Sequence, residues 1–394
     1  MSGRSVAIVG GVTTKFGVRS ATWAELVQEV GVALSRAVPS LRSEDVDSLF
    51  VGAAEPERFA FQSHVAPLAA EQLGLKPHRI LQRNELACAS GQSAIRSAYA
   101  AIASGLSDVA VVVGVEKMNL PSMAEANSAM GCVMDRPWDG PAGATAPPFF
   151  AMVAQRHMLE FGTTPEQLAI ISEKNHRFAN TNPNAQFHEK TFSRDKLLRL
   201  PLIAPPLRLG DCSSMTDGAA AVVLAAEDRV RTYSDTPAWV RGSGQYSDFH
   251  NLANAGSLTE WTGLTRAARE ALGRAGIGVG DLDFAELHDC FTISEIVEYE
   301  ALGLCPRGEG GRFAADGRGD LGGDIVINPR GGLLGCGHPL GATGVAQAVE
   351  VYQQFSSTVP AARQVPDPRW ALVHNLSGSA NVHSVMVYER GGAA

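Results

Sequence analysis

The amino-acid sequence predicts an α/β fold in which one strand–helix unit occurs twice. Two observations lead to this prediction: apolar strand-like runs alternate with helical segments, and an ordered set of motifs appears in both halves of the chain. Alternating strands and helices are typical of mainly parallel sheets that are covered by helices on both faces. An ordered repeat indicates duplication, because one match arises by chance and a series does not.

The repeat begins with two predicted helices. Residues 22–25 have the spacing of a capping box, which supplies acceptors for the free amides of a helix start, and residues 257–260 show the same spacing. In both copies a tryptophan, Trp23 or Trp261, precedes the leucine of an Ala-Leu-x-Arg-Ala run by 11 residues. An Asp-x-Asp motif then leads into an apolar strand in each half.

The repeat continues into two glycine-containing turns. Aligning Gly91 with Gly341 places Cys88 opposite His338. Each turn leads into a predicted helix, over residues 93–104 in the first half and from residue 345 to residue 355 in the second. Each half therefore presents one chemically active side chain just before a helix.

The stretch from about residue 119 to residue 206 has no counterpart in the other half. It is rich in proline, glycine, methionine and aromatic residues, and it includes one predicted helix over residues 165–178. Insertions of this kind usually form a lid or a substrate-binding flap, and extra packing is the alternative. We predict a first half over residues 1–235, which contains this insert, and a second half over residues 236–394.

The composition excludes several classes of protein. The chain has 394 residues, of which 45% are hydrophobic and 19% charged, as expected for a globular protein with a large core. Its net charge of −8 argues against a nucleic-acid partner. No apolar run approaches the roughly 18 residues of a membrane span, and a strand-like segment at residues 6–9 leaves no room for a signal peptide. We therefore expect a cytoplasmic protein.

The six cysteines occur singly, without the close pairs of a zinc knuckle or a redox dithiol, so we expect free thiols and no metal site. Cys88 stands apart, because the amides and partial positive charge of a helix start favour a thiolate. An imidazole such as His338 beside it can carry its proton. Taken alone, Cys88 is equally compatible with a buried packing thiol.

Two further polar clusters follow predicted strands. Residues 288–291 come directly after the apolar strand at residues 284–287, and residues 374–379 form a turn between the last two strands. Open α/β folds place their sites at the carboxyl ends of strands. Each cluster alone is compatible with core packing, whereas the four turns together indicate one site.

These motifs resemble the thiolase superfamily, and within it the branch of sterol-carrier-protein-type and archaeal thiolases. Cys88 with its following Ala-Ser-Gly resembles the nucleophile motif, and residues 288–291 read HDCF, which replaces the NEAF motif of ordinary thiolases. Residues 332–344 resemble the GHP block, and residues 207–224 the strand region before the second half. The likeness covers nearly the whole chain. It implies a duplicated five-layered αβαβα fold with a loop-domain insert, and a homodimer.

The resemblance also implies roles for four side chains. Cys88 would be the nucleophile that accepts the acyl group, and His338 would activate it and help to bind the thioester oxygen. His288, which takes the place of the NEAF asparagine, would polarise the same oxygen. Cys290 would be the acid/base group that handles the α-carbon or the attacking CoA thiol.

One departure from the family pattern concerns the last turn. Ordinary thiolases carry a second catalytic cysteine there in a Cys-x-Gly motif, whereas Asn375 and Ser377 occupy its two ends here. Cys290 is then left to supply the acid/base thiol. A second oxyanion hole would use the main-chain amides of Cys88 and of Gly378 or Ser377, and Asn375 is included among the substrate-binding candidates.

The implied function is a cysteine-dependent acyltransferase that condenses or thiolytically cleaves a 3-oxoacyl-CoA. The alternatives are C-acylation of a phenolic acceptor without CoA, or a thiolase-like subunit that depends on a small zinc-ribbon/OB-fold protein. A retro-aldolase is disfavoured, because relatives of that kind need no nucleophilic cysteine. CoA would be a cosubstrate, and no tightly bound cofactor is expected. A predicted helix at residues 155–161 either lines an acyl or aryl pocket or packs in the core.

Overall fold

The computed structural model describes the chain from residue 3 to residue 391. Its strands are β1 Val6–Thr13, β2 Ser48–Gly52, β3 Ile80–Asn84, β4 Val109–Glu116, β5 Leu202–Ala204, β6 Leu207–Arg208, β7 Gly218–Ala226, β8 Ala238–Ser247, β9 Phe284–Glu286, β10 Val326–Ile327, β11 Trp370–Ser377 and β12 Val382–Arg390. The strands predicted at residues 6–9 and 284–287 are present as β1 and β9. β3, β5, β8 and β10 were not predicted from the sequence.

Fourteen α-helices connect the strands of the described chain. They are α1 Trp23–Ala37, α2 Pro56–Phe59, α3 Val65–Gln72, α4 Ser90–Ala103, α5 Met123–Met130, α6 Ala146–Phe161, α7 Pro165–Asn180, α8 Arg194–Leu197, α9 Val230–Tyr233, α10 Thr262–Ala275, α11 Thr292–Leu302, α12 Gly310–Ala315, α13 Gly332–Cys336 and α14 Leu340–Phe355. Between residues 3 and 391, none of the helices has the length and apolar character that a bilayer crossing requires.

Ten strands form one mixed sheet whose two halves have the same topology. The order is β3-β2-β4-β7-β1 in the first half and β10-β9-β11-β12-β8 in the second. In each half the first three strands of that order run parallel, and the next two pairings are antiparallel. Two residue pairs between β1 and β8 join the halves.

Helices and the two half-sheets alternate in five layers. α1 and α3 pack on the outer face of the first half, and α10 and α11 cover the outer face of the second. α4 and α14 lie between the halves and share one continuous core with both inner faces. Because both faces of each half-sheet are covered, β4 and β7 are buried along their whole length and read as unbroken apolar runs. The predicted duplicated αβαβα arrangement is confirmed.

The two predicted helix starts differ. Thr22 forms a complete capping box with Glu25 at the start of α1, as predicted. The prediction for the second copy is wrong, because α10 begins at Thr262 and Trp261 precedes it in a non-helical conformation. The Ser257 hydroxyl instead accepts the Glu260 amide at 3.1 Å in a turn before the helix. The Trp261 indole donates to a carbonyl of that turn and holds it in place.

The insert consists of α5 to α8 and β5. Its α6 and α7 pack on the outer side of the second half and share a core with α10 and α11. The insert therefore follows the first half in the chain but is buried against the second. The proposed boundary between residues 235 and 236 falls in the segment between α9 and β8 and stays a prediction.

The amino-terminal ends of α4 and α14 touch through glycines. A Cβ atom built on Gly91 would lie 2.6 Å from the Gly341 carbonyl oxygen, and one on Gly341 would lie 2.5 Å from the Gly52 carbonyl oxygen. Since each obstacle is a main-chain atom, a side chain at either position would push the backbones apart. These glycines let the two central helices start side by side, one from each half.

We expect the Gly341→Ala substitution to destabilise the fold by about 1–3 kcal/mol, because the added methyl group overpacks a rigid backbone contact. The change in the free energy of unfolding is measured by urea denaturation. Gly273→Ala in α10 is the matched control: a Cβ there meets nothing within 4 Å. The control variant should keep or slightly raise stability, by up to about 1 kcal/mol. Equal stabilities of the two variants would contradict the proposed contact.

Candidate active site

Cys88 lies in a strained turn between β3 and α4. The preceding Ala87 has a φ of +43°, in the left-handed region that residues with a Cβ rarely adopt. The Ser90 hydroxyl accepts the Leu86 amide at 2.8 Å and donates to the Ala87 carbonyl at 2.7 Å, and so holds the turn. The Cys88 side chain is buried at the start of α4 and faces an internal cavity. The turn therefore presents the sulfur toward the cavity rather than into the core.

Burial dominates the protonation of Cys88. Removal from water raises the pKa of the Cys88 thiol to about 12, although the main-chain amides of Gly378 and of Cys88 itself favour the thiolate. Burial therefore opposes the thiolate that the helix start was expected to favour. Desolvation disfavours the charged form more strongly than one helix terminus favours it.

His338 enters the same cavity from the turn between α13 and α14. Its Nδ1 lies 2.7 Å from the Thr343 hydroxyl, and that hydroxyl lies 3.0 Å from the Pro339 carbonyl. Because the hydroxyl donates its one hydrogen to the carbonyl, it accepts from Nδ1–H, which leaves the lone pair on Nε2. Burial lowers the pKa of His338 to about 3. His338 is thus a neutral base whose free nitrogen has no protein partner.

His288 lies beside His338. The two imidazole rings meet edge to face, with centroids 4.9 Å apart and an interplanar angle of 85°. Burial and the neighbouring imidazoles hold the pKa of His288 well below its usual range. Neither of its ring nitrogens has a hydrogen-bond partner, although the residue is fully buried. Buried polar atoms without a hydrogen bond cost folding free energy, and these two nitrogens are therefore candidates for binding a polar atom of a ligand.

The Cys88 sulfur and one nitrogen from each of His288 and His338 all lie within 4.8 Å of one another. Between residues 3 and 391 this is the one group of three or more side chains of metal-ligand type at such distances. The three atoms belong to a thiol (Cys88), an imidazole that can act as a base (His338) and an imidazole that can donate a hydrogen bond (His288). An acyl carbonyl at that point would meet a nucleophile and two imidazoles.

Cys290 lines the same cavity. Its sulfur lies 3.7 Å from the Ser294 hydroxyl. Burial, with further unfavourable charge from Cys88, raises the pKa of Cys290 well above its usual range. The two thiols therefore line one cavity, and Cys88 disfavours ionisation of Cys290.

The last turn, which follows β11, contributes main-chain atoms rather than side chains to the cavity. Gly378 adopts a φ of +55° and lines the cavity, and its amide favours the thiolate of Cys88. The Asn375 side chain turns away and donates to Gln347 at 2.5 Å. Ser377 is also buried, and neither it nor Asn375 belongs to the cavity wall. Of these three predicted residues, only Gly378 lines the cavity.

The cavity has a volume of about 380 Å³ and a mostly apolar wall. Met118, Met215 and Leu340 line it, together with Phe150, whose ring stacks on Phe291 at 4.5 Å. The insert contributes Asn127 and Met130 of α5, residues 145–148 and 150 around the start of α6, and Ile203 to the wall. None of residues 155–161 lines the cavity, so the pocket-lining alternative for that stretch is not observed.

Three supporting acids were not predicted from the sequence. Glu116 accepts the amides of Ala54 and Gly341 at 2.7 and 3.0 Å, so it ties the first half to the start of α14. Asp289 accepts the Leu333 amide at 2.7 Å, which fixes the start of α13. The third of these acids is Glu298, which is fully buried. Asp289 lies within the HDCF motif, so that motif could have identified it from the sequence. Glu116 ends an apolar strand that carries no motif, so nothing in the sequence pointed to it.

Comparison with known proteins identifies the family. The family model described as "Thiolase, N-terminal domain" matches residues 6–228, and "Thiolase C-terminal domain-like" matches residues 244–390. An acetyl-CoA acetyltransferase of Methanothermobacter thermautotrophicus is 40% identical over 98% of this chain and 100% of its own length. Sterol carrier protein 2 of Bos taurus is 34% identical over 98% of this chain and 72% of its own.

A solved structure supports the same assignment. The Ltp2-ChsH2(DUF35) aldolase superimposes with a TM-score of 0.84 at 25% identity, over 98% of both chains. Both family models and a 40% identical acetyltransferase cover the residues that build the cavity. The chain therefore belongs to the thiolase superfamily, in the branch of the archaeal acetyl-CoA acetyltransferases and sterol carrier protein 2, and is an acyltransferase.

Proposed function

We propose that the protein cleaves or forms 3-oxoacyl-CoA thioesters through an acyl group carried on Cys88. The observation that carries this proposal is the meeting of the Cys88 sulfur with His288 and His338 within 4.8 Å. Of these three residues, Cys88 and His338 line an apolar cavity. Three imidazole nitrogens there lack any protein partner. A thioester oxygen is an acceptor for an N–H of His288, and for His338 Nε2–H once His338 has taken the thiol proton.

In the cleavage direction the first step joins Cys88 to the 3-oxo carbon. His338 Nε2 takes the thiol proton as the sulfur attacks, so no free thiolate has to form in the apolar site. The carbon–carbon bond then breaks, and the electron pair remains on C2 as a thioester enolate. Cys290 gives its proton to C2, which releases the C1–C2 portion as a CoA thioester and leaves the shortened acyl group on Cys88.

In the second step a CoA thiol takes the acyl group from Cys88. Cys290 removes the thiol proton, the CoA sulfur attacks the acyl carbon, and Cys88 leaves as the thiol after recovering its proton from His338. The condensation direction is the reverse, and the same residues serve both. CoA is then a cosubstrate, and the proposal includes no tightly bound cofactor.

Two sets of donors face the two oxygens that become negative. His288 and His338 are placed for the thioester oxygen of the enolate, once His338 is protonated. The amides of Cys88 and Gly378, which already favour negative charge on the Cys88 sulfur, are placed for the oxygen of the acyl group on Cys88. Fixed donors aimed at developing charge contribute about 100- to 1000-fold each to the rate.

The cavity favours an acyl group larger than acetyl. Its volume of about 380 Å³ far exceeds that of a two-carbon unit, and the Phe150–Phe291 stack offers an apolar wall for a chain or a ring. The second candidate function is acylation of a phenolic acceptor without CoA. The aromatic stack supports it, and a dependence of product release on added CoA separates the two functions.

The proposal extends to partners. The structural relative from the Ltp2-ChsH2(DUF35) aldolase functions in an assembly named for two components, which supports a small zinc-ribbon/OB-fold partner for this chain. The half-exposed strand β3, at the edge of the sheet, offers an open edge for a second copy, consistent with a homodimer. The similarity to an aldolase leaves a retro-aldol reaction as an alternative function. Cys88 argues against it, because relatives of that kind need no nucleophilic cysteine.

The acyl intermediate is tested by intact-protein mass spectrometry. Incubation with an acyl-CoA should add one acyl mass to the wild-type chain and to Cys290→Ala, but not to Cys88→Ala. In Cys290→Ala, thiolysis should fall by about 100-fold or more, because its proton donor is missing. An adduct that persists in Cys88→Ala would contradict the assignment, as would the absence of any adduct with or without a co-expressed partner.

The tautomer of His338 is tested at Thr343. We expect Thr343→Val to lower kcat by about tenfold or more, because the hydroxyl that accepts Nδ1–H is lost and Nε2 is no longer held as the base. Thr343→Ser is the matched control and should retain most of the activity. Steady-state kinetics and unfolding midpoints are measured together. Equal activities of the two variants would show that the hydroxyl does not set the tautomer.

The raised pKa of Cys88 predicts a rising pH profile for alkylation. The direct thiolate route grows with the ionised fraction, so iodoacetamide labelling of Cys88 should increase continuously from pH 6 to about pH 9 without reaching a plateau. The exposed Cys132 provides the internal control and should label faster at every pH in this range. Peptide mapping measures both rates. Selective labelling of Cys88 at low pH would mean that the helix start outweighs burial after all.

A further inference from the structure

A buried ion pair lies next to the HDCF turn but outside the acyl cavity. The Lys174 ammonium lies 2.6 Å from the Glu295 carboxylate, and neither residue lines that cavity. Lys174 is 8% exposed and Glu295 is fully buried. Removing two charges from water usually costs as much free energy as their attraction contributes, so stability alone is a weak reason for such a pair. The proposed acyl transfer gives it no role.

Hydrogen bonds indicate that both groups of the pair are charged. The three hydrogens of the Lys174 ammonium have three acceptors, which are Glu295 Oε1 at 2.6 Å, the Ile327 carbonyl at 3.2 Å and the Tyr299 hydroxyl at 3.4 Å. The Tyr299 hydroxyl in turn donates to Glu295 Oε1. This oxygen of Glu295 therefore receives two hydrogens and donates none, as expected of a carboxylate.

Two asparagines occupy the other oxygen of Glu295. Asn328 Nδ2 donates to Oε2 at 2.7 Å, and the Leu287 amide donates to Asn328 Oδ1 at 2.7 Å, which fixes the orientation of the Asn328 amide group. Asn175 Nδ2 donates to the same oxygen of Glu295 at 2.7 Å and to Asp289 Oδ2 at 2.7 Å. Asn175 thus joins the carboxylate of Glu295 to that of Asp289.

Asp289 connects the two turns that carry the catalytic imidazoles. It lies between His288 and Cys290 in the HDCF motif. Its two oxygens accept two main-chain amides in the first turn of α13, at 2.7 and 3.2 Å. α13 leads directly into the turn that carries His338. Asp289 therefore holds the HDCF turn against the helix that precedes His338.

Two carboxylates and one ammonium are buried together, and we call Lys174, Glu295, Asn175 and Asp289 the charge cluster. Burial and the negative charge of Glu295 raise the pKa of Asp289 to about 7, whereas the α13 amides and the charge of Lys174 act to lower it. Like charges that share a buried site favour protonation of one of them. Without the positive charge of Lys174, Asp289 would be protonated at higher pH.

The other titratable groups that interact with Asp289 are acids, a phenol and a thiol. They are Glu298 and Tyr299 of α11, Glu286 of β9, and Cys290 of the HDCF turn itself. Burial and nearby negative charge raise the pKa of each of them. None brings positive charge to Asp289, and Lys174 is the cation that acts on it.

We propose that Lys174 is a positioning residue for acyl transfer: its ammonium balances the charges of Glu295 and Asp289, so that Asp289 remains a carboxylate and holds the HDCF turn against α13. The inference rests on the proposed function, because it needs the HDCF turn and His338 as the groups that handle the substrate. Hydrogen bonds to an ionised acceptor are about twice as strong as those to a neutral one. Protonation of Asp289 would therefore weaken the link between the two turns.

A cleft on the outer side of α7 gives access to Lys174. Its volume is about 900 Å³, and its wall is formed by α7, α12 and the segment at residues 190–196. Lys174 belongs to this wall. The cleft and the acyl cavity share no lining residue. A small amine can therefore approach the position of the Lys174 side chain without entering the acyl site.

The first test is the pH profile of thiolysis. In Lys174→Met we expect kcat to fall about tenfold at pH 7 and to approach the wild-type value near pH 9, because loss of the cation raises the pKa of Asp289 by about one unit. Activity that needs a carboxylate is lost as the pH falls through its pKa, so a raised pKa moves this loss to higher pH. Steady-state kinetics between pH 6 and pH 9 measure the shift.

Two variants serve as controls for the pH profile. Lys174→Arg keeps the positive charge and should retain the acid limb of the wild type. Lys196→Met is the matched control: it removes a cation from the wall of the same cleft, where the Lys196 ammonium lies over the Phe192 ring at 4.7 Å instead of in the charge cluster. It should leave the profile unchanged. Unfolding midpoints are measured for all variants.

The second test returns the missing cation from solution. Lys174→Ala removes a group of the size of propylamine, which is protonated at pH 7. Added propylamine should raise the kcat of this variant severalfold at pH 7. 1-Propanol has nearly the same size without the charge, and it should not raise kcat.

Hydrogen exchange at α13 provides a readout that does not depend on activity. The Leu333 and Leu334 amides donate to Asp289. In Lys174→Met they should exchange faster than in the wild type at pH 7, and at the wild-type rate near pH 9. Mass spectrometry of peptides that contain α13 measures both rates.

The outcomes separate this inference from the proposed function. An unchanged acid limb in Lys174→Met, with Cys88 acylated normally, would overturn the role of Lys174. An equal fall in kcat at every pH, or equal rescue by propanol, would also overturn it, because either result indicates packing alone. If the wild type forms no acyl adduct on Cys88 at any pH, the proposed function fails, and hydrogen exchange then decides whether Lys174 maintains the link to α13. A shifted acid limb with rescue by propylamine alone supports the inference.

Discussion

The site depends on the contact between the amino-terminal ends of α4 and α14. These helices come from different halves of a duplicated chain, and they start side by side only because Gly91 and Gly341 present backbone to backbone. Cys88 lies three residues before Gly91, and His338 three residues before Gly341. The close approach therefore brings Cys88 and His338 to one cavity. The pseudo-symmetry of the two halves therefore determines the relative positions of these two side chains.

Burial sets the electrostatics of this arrangement. An exposed cysteine at a helix start would be acidified, whereas Cys88 is held as a thiol and His338 as a neutral imidazole. A neutral pair avoids the cost of two buried charges in the resting protein. Thr343 contributes to the same neutral state, since its hydroxyl accepts Nδ1–H of His338 and leaves Nε2 without a proton.

Buried acids connect the turns that carry the site. Glu116 binds the start of α14 to the first half, and Asp289 binds the start of α13 to the HDCF turn. Glu298 holds the amide of His288 and reaches His374. Each acid joins segments that are distant in sequence, so the site turns are fixed relative to one another. The insert adds an apolar wall across them and packs on the second half of the fold.

The sequence by itself determined the duplication, the order of most strands and helices, and the pairing of Cys88 with His338, because these follow from local periodicity and from repeated motifs. It also identified His288 and Cys290 through the resemblance of the HDCF motif. The start of α10 differed from the prediction, because the packing of Trp261 overrides the capping signal at residues 257–260. The protonation of Cys88 and the orientation of Asn375 were decided only by tertiary structure. Desolvation and long-range hydrogen bonds depend on which segments meet in space, and a linear sequence does not carry that information.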